Sequence, residues 1–424
     1  MKDYHEMWAG LGLDLERHDE FLEGLGPVYQ EIYLSQRLRP KGMEYFDFIT
    51  SEVHGQRIKE LLELKEKGRR IVGTFCVYVP EEIVMATGGA WVGICGGSQF
   101  SIPDAERVLP RNLCPLVKSA FGFMKAKTCP YYKVPDLFVG ETTCDGKKKV
   151  WEIFRNYVPF YTMEIPNSKG QMGKELWLAE VKRFKEMMEK ESGVSITPER
   201  LEEGILIANR KRKAMLRLSE LRKADPPPIS GKDALLVSQI AYYDDPERFT
   251  TKVNELCDEL EERVQKGIGV VEKGTPRIMI SGCPFALPFW KIHHIVENTG
   301  AAVIVCDESC VGTRYFGNMV DEGLPTLEDK LKAIAERYLK INCSCFTPNE
   351  ERIEEIKRYA KDFKVDGVIL FTLQFCLTYS IEGVKVQEAL KKMGIPVMEI
   401  ETDYGEQDIG QLQTRVEAFI EQIS

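Results

Sequence analysis

The chain has 424 residues, 43% of them hydrophobic and 29% charged, which suits two or three folded domains and excludes disorder. Its net charge of −9 argues against a nucleic-acid partner, and the basic run Arg210-Lys211-Arg212-Lys213 reads as the solvated face of a helix. No window approaches the ~18 uncharged apolar residues of a membrane span, and Met1 to Glu20 lacks an apolar signal region, so a cytoplasmic protein with no membrane partner is expected.

Residues 1–67 read as helical, with a dense apolar pattern from Ile58 to Leu64 that stops near Gly68. Over residues 68–170 the pattern changes to an alternation. Arg70 to Tyr78 is predicted as a strand, Val79-Pro80-Glu81-Glu82 opens a helix closed by Gly88-Gly89, and Trp91 to Cys95 is a second strand. A helix from Asn112 to Lys125, a strand from Asp136 to Thr143, a helix from Asp145 to Arg155 and a strand from Pro159 to Ile165 complete this unit. Residues 171–273 read as all helical, with Thr197 as an N-cap, Pro198 at the first helical position, and Pro226-Pro227-Pro228 between two helical blocks.

The alternation returns over residues 274–424. Strands are predicted at Pro276 to Ser281, Ala302 to Cys306, Val365 to Thr372 and Ile395 to Ile400. Helices are predicted at Pro288 to Glu297, Leu327 to Leu339, Glu350 to Phe363 and Glu382 to Lys392. Two α/β domains with doubly wound parallel sheets follow, flanked by helical segments. They read as a divergent repeat: Cys76 with Pro80 matches Cys283 with Pro284, Asp136 to Cys144 matches Asp366 to Cys376, and Thr162-Met163-Glu164-Ile165 matches Val397-Met398-Glu399-Ile400.

The chain has twelve cysteines, and in a reducing compartment these are buried thiols or metal ligands, not disulfides. Cys76, Cys144, Cys283, Cys310 and Cys376 fall at or just beyond the C-terminal ends of predicted strands. In doubly wound sheets ligands bind at that edge, because helix N-termini point there and stabilise thiolates. Cys95, Cys129, Cys257 and Cys306 read as structural thiols. Structural zinc wants CxxC pairs, whereas the closest spacings here are Cys306-x3-Cys310 and Cys343-x-Cys345. Ligands scattered along the chain suit a cluster held between domains. The histidines are few and badly spaced for a metal site, and His293-His294 lies within a predicted helix, where at most one can face a site. No Walker A sequence is present, and Gly267-Ile268-Gly269 lacks the rest of a dinucleotide fingerprint.

Six motifs in order resemble the 2-hydroxyacyl-CoA dehydratase and benzoyl-CoA reductase subunit family. They are Phe75-Cys76-Val77-Tyr78-Val79-Pro80-Glu81-Glu82, Arg111-Asn112-Leu113-Cys114-Pro115, Thr143-Cys144-Asp145-Gly146-Lys147-Lys148, Gly282-Cys283-Pro284, Glu308-Ser309-Cys310-x-Gly312 and Gln374-Phe375-Cys376. Gln411 to Phe419 fits as well. The resemblance implies that Cys114, Cys144 and Cys376 hold one iron–sulfur cubane. The additional Cys283, Cys310 and Cys343-Ser344-Cys345 resemble the double-cubane cluster proteins, in which six cysteines hold two linked four-iron cubanes, about eight irons per chain. The ligands are expected among Cys76, Cys114, Cys144, Cys283, Cys310, Cys343 and Cys376, with Cys345 in reserve.

By the same resemblance, a separate ATP-hydrolysing iron–sulfur activator delivers low-potential electrons, and the chain reduces a small-molecule substrate as a homodimer. Glu308, Gln374 and Tyr379 adjoin ligand cysteines and are candidate sources of protons or hydrogen bonds; Glu308 could equally cap a helix and Tyr379 simply pack. Two other readings stand beside this one: a 2-hydroxyacyl-CoA dehydratase subunit with a single cubane, and a cluster-carrying electron relay without catalysis.

Overall fold

Apolar runs in each half of the chain form four parallel strands, as the alternation predicts. The computed structural model describes residues 4–94 and 96–424; Cys95, read above as a structural thiol, lies outside the described residues. The first sheet contains β1 (Ile71–Thr74), β2 (Ala90–Gly93), β3 (Leu137–Glu141) and β4 (Phe160–Met163) in the order β2-β1-β3-β4. The second contains β5 (Arg277–Gly282), β6 (Val303–Glu308), β7 (Gly367–Leu373) and β8 (Val397–Thr402) in the matching order β6-β5-β7-β8. Every pairing is parallel. The central strands β1, β3 and β5 are buried along their whole length, as sheets covered on both faces require. The chain is a two-domain repeat of one α/β unit.

The repeat extends to single hydrogen bonds. The Asp136 carboxylate accepts the Ile71 N–H at 2.8 Å, while the Asp136 N–H donates to the Ile71 carbonyl at 2.8 Å. Asp366 makes the same two bonds to Arg277, both at 2.8 Å. Each Asp therefore fixes the register of its central strand pair at the sheet's N-terminal edge.

The strands of the first sheet are shorter than expected, while β6 runs two residues further than expected toward the site. β1 stops at Thr74, four residues before Tyr78, because Phe75 to Val79 turn toward the helix Glu81–Ala86. The helix Leu377–Lys392 begins five residues earlier than expected. The C-terminal helix Ile409–Ile423, not assigned from sequence, is anchored where Lys291 Nζ meets Asp408 at 2.8 Å.

The middle segment is helical, comprising Gln171–Ser192, Pro198–Leu221, Gly231–Ile240 and Pro246–Gln265. Thr197 caps the second of these by accepting the Arg200 N–H. The basic run on that helix corrects its sequence reading. Arg210 and Lys213 are exposed, but Lys211 and Arg212 are buried. Lys211 Nζ lies 2.6 Å from Glu81 Oε2, and Arg212 donates to Glu82 at 2.6 Å and to Glu81 at 2.9 Å. From the second α/β domain, Tyr338 donates to Glu82 at 2.8 Å and Tyr315 to Glu81 at 2.9 Å. Two adjacent carboxylates at a helix start attract cations strongly enough to bring this part of the run inward, and three segments are bolted together there. Among the described residues no helix is long and apolar enough to cross a membrane.

Candidate functional site

The strand ends of the two sheets face a shared cavity of about 260 Å³, and eight cysteines line it: Cys76, Cys114, Cys144, Cys283, Cys310, Cys343, Cys345 and Cys376. All seven ligand candidates and the reserve Cys345 meet in this one wall. Cys129, Cys257 and Cys306 do not line it. Cys257 is buried in the helix Pro246–Gln265 and Cys306 within β6.

Local structure explains how separate segments supply one wall. Cys283 follows the central strand β5 directly, and Cys76 comes two residues after the central strand β1. Cys114, Cys144 and Cys376 are the N-cap residues of the helices Pro115–Ala126, Asp145–Phe154 and Leu377–Lys392. First-turn backbone N–H groups act to lower these thiols: those of Leu116 and Val117 at Cys114, Lys147 at Cys144 and Tyr379 at Cys376. An N-terminal helix turn favours negative charge on such a sulfur. Cys310 follows β6, and Cys343 and Cys345 sit in the connection between the helices Leu327–Leu339 and Glu350–Asp362.

The thiols fall into two groups. Cys283 and Cys376 are close enough to shift each other's thiol, and Cys376 also interacts electrostatically with Cys114 and Cys144. Cys76 and Cys310 shift each other in the same way, as do Cys343 and Cys345, with Cys310 close enough to Cys343 to feel its charge. In each pair one sulfur is stabilised as the thiolate. Cys345 lowers Cys343 to about 5, and Cys76 and Cys283 lower Cys310 and Cys376. Burial raises Cys114 to about 12 and also raises Cys144.

One side of the wall carries a buried ion cluster. Arg314 Nη1 approaches Cys310 Sγ at 3.6 Å and also donates to the Tyr379 hydroxyl. Its Nε donates to Glu308 Oε1 at 2.6 Å, and Arg352 Nη2 donates to Glu308 Oε2 at 2.9 Å. Burial acts to raise the Glu308 carboxyl, but the two guanidiniums hold it below its ordinary value. The three candidate proton sources therefore occupy different places. Tyr379 lines the cavity with its hydroxyl 3.6 Å from Cys343 Sγ. Glu308 lies behind Arg314, and Gln374 is tied by its backbone N–H to the Thr402 carbonyl at 2.9 Å; neither lines the cavity. Sequence reasoning missed Arg314, whose one local signal is its place four residues after Cys310.

Among the described residues no three His, Cys, Asp or Glu side chains converge on a single metal-ion position. The donors surround a volume instead, and soft sulfur is the donor that iron–sulfur clusters select.

The sequence profile described as 2-hydroxyglutaryl-CoA dehydratase, D-component, matches residues 76–423. YjiM of Escherichia coli (strain K12), provisionally named a dehydratase subunit, is 37% identical over 376 residues, covering 88% of this chain and 96% of its own. The (R)-phenyllactyl-CoA dehydratase beta subunit of Clostridium sporogenes is 27% identical, with coverage of 89% and 98%. A benzoyl-CoA reductase subunit of Thauera aromatica is 21% identical, with coverage of 82% and 88%. Profile, relatives and a thiol-lined cleft between two repeated α/β domains agree: the chain belongs to the 2-hydroxyglutaryl-CoA dehydratase D-component family.

Proposed function

We propose that the chain is an iron–sulfur reductase of this family, holding two linked cubanes in the thiol cavity and passing low-potential electrons to a small molecule. The observation that carries this reading is the eight-cysteine wall, since a single cubane needs no more than four thiolates. The two groups, Cys114, Cys144, Cys283, Cys376 and Cys76, Cys310, Cys343, Cys345, would each serve one cubane. A bridged pair takes six of these eight sulfurs.

When bound, such a cluster stores and transfers single electrons at low potential. The chain's own residues define its surroundings. Three helix N-termini and Arg314 offset thiolate charge, and Arg314 fixes the Tyr379 oxygen from behind. Tyr379 keeps its proton, because burial pushes its phenol well above the ordinary value. It is therefore a hydrogen-bond donor toward the cavity. In this reading Glu308 positions Arg314 and transfers no proton itself.

Electrons would come from a separate ATP-hydrolysing activator, because the sequence has no Walker A loop. A homodimer suits a chain that carries a full thiol set by itself. A second reading, a dehydratase subunit with one cubane, is favoured by the relatives named as acyl-CoA dehydratase subunits. Iron analysis on anaerobically purified, reconstituted protein separates the two: about eight irons per chain supports the first reading and about four the second. Reduction of a small unsaturated molecule that proceeds equally fast without activator and ATP would refute the partner dependence. An active monomer in light scattering would refute the dimer.

A further inference from the structure

A second cavity, of about 270 Å³, lies beside the thiol wall and shares Gly93, Tyr243 and Leu287 with it. The N-terminal helices close it. Tyr4 lies flat against Gly55, where a Cβ would come within 2.3 Å of the tyrosine ring. Trp8, Phe21, Leu25, Val53, Tyr131 and Trp290 are among the residues that line it.

The aromatic walls present carbon, because their polar tips are bonded elsewhere. Trp8 Nε1 donates to the His54 carbonyl at 2.7 Å and Trp290 Nε1 to Gln239 at 2.8 Å. Tyr131 donates to the Val53 carbonyl at 3.0 Å, Tyr132 to the Ile94 carbonyl, Tyr4 to Glu52 and Tyr29 to Asp47. Among the described residues that line the cavity, none is Asp, Glu, Lys or Arg. Of its polar groups, the Thr50 and Ser51 hydroxyls donate to the Phe46 and Phe48 carbonyls at 2.7 and 2.8 Å, while His54 Nε2 lies 3.7 Å from Cys129 Sγ and its Nδ1 3.0 Å from His18 Nε2 behind the wall. Burial lowers both imidazoles, His18 to about 4, so the pair is neutral at ordinary pH.

We propose that this cavity is a binding site for a neutral, ring-sized apolar molecule carrying at most one hydrogen-bonding group, which meets Cys129 and His54. Size and charge both point to that class. An apolar cavity of about 150 Å³ already accepts a benzene ring. An anion buried here would find no cation to replace its water, so a carboxylate or phosphate is rejected. The site goes beyond the iron–sulfur reading, since none of the eight wall thiols lines it.

The test is calorimetry on the anaerobically purified full chain with benzyl alcohol and with benzoate. Saturable one-to-one binding of benzyl alcohol, at least tenfold tighter than benzoate, is expected. Leu25→Trp, which fills the space from the helix Leu15–Tyr29, should weaken benzyl alcohol at least tenfold while iron content and melting temperature hold. Should that variant fail to fold, Val53→Leu, adding one methylene to the opposite wall, should give a smaller loss in the same direction. No saturable binding, equal affinity for benzoate, or undiminished binding by the folded variants would overturn the proposal. Because binding is read without turnover, a protein that binds benzyl alcohol yet reduces nothing would refute the reductase reading and leave this site standing.

Discussion

Arg314 holds its guanidinium 3.6 Å from the Cys310 sulfur while Glu308, at 2.6 Å, neutralises it from the other side. The pair is fully buried, so neither charge is screened by water. A cation balanced in this way donates a hydrogen bond to sulfur without adding a full net charge to the cleft. In iron-loaded protein, Arg314→Gln removes the cation and its charge-assisted bond, worth roughly 1.5–3 kcal/mol. For a one-electron couple this is about 65–130 mV. The midpoint should fall by that amount in a potentiometric titration followed by electron paramagnetic resonance, with Arg314→Lys intermediate. An unchanged midpoint would show that Arg314 only packs.

Substitution of cysteines should divide cleanly between wall and core. Serine at Cys114, Cys144 or Cys376, each held by a helix N-terminus, should lower iron content after reconstitution. Alanine at Cys257 or Cys306 should leave iron content at the parent level, because those thiols lie outside the cavity. Metal analysis beside circular dichroism checks both arms.

The buried cation pair of the middle segment predicts a stability difference between neighbouring residues. Arg212→Leu strands Glu82 in a dry environment and should cost about 3–5 kcal/mol in urea unfolding. Arg210→Leu, whose partner Glu247 is solvent-exposed, should change stability by less than about 1 kcal/mol. Equal effects would remove the bolt from the account of the fold.

His18 makes the chain acid-sensitive. Burial lowers its folded pKa from 6.5 to about 4, so the unfolded chain takes up the proton first. The stability is fully present above pH 6.5 and is lost as pH falls toward 4; at pH 5 the loss from His18 is about 2 kcal/mol. His54 adds in the same direction. Denaturant midpoints between pH 7 and 5 should fall less steeply in His18→Gln than in the parent.

The fold was legible wherever local pattern and chemistry coincide. Asp136 and Asp366 opened matching strands in the sequence, and each makes the same two hydrogen bonds to a central strand. The strand-end cysteines converge because parallel sheets gather their ligands at one edge. Cys343 and Cys345 lacked that cue, since a connection between two helices brings them in from elsewhere. The first turns of the helix Leu377–Lys392 were missed because Leu377, Ile381 and Val384 are exposed, which erases the amphipathic signal. Lys211 and Arg212 were misread because a basic run looks solvated until two distant carboxylates face it. The second cavity draws on residues from Tyr4 to Trp290, and no single segment of sequence announces it.

The junction of Glu81 and Glu82 with Lys211, Arg212, Tyr315 and Tyr338 also decides how the thiol wall is reached. Parting the two sheets would take the Tyr315 and Tyr338 hydroxyls away from the buried Glu81 and Glu82 carboxylates, so opening the halves carries the cost of leaving those acceptors short of donors. At the rim of the thiol cavity Phe375 and Leu377 stand 49% and 69% exposed on either side of Cys376. The junction ties the two domains together deep in the molecule, and the thiol wall meets solvent at this exposed pair instead.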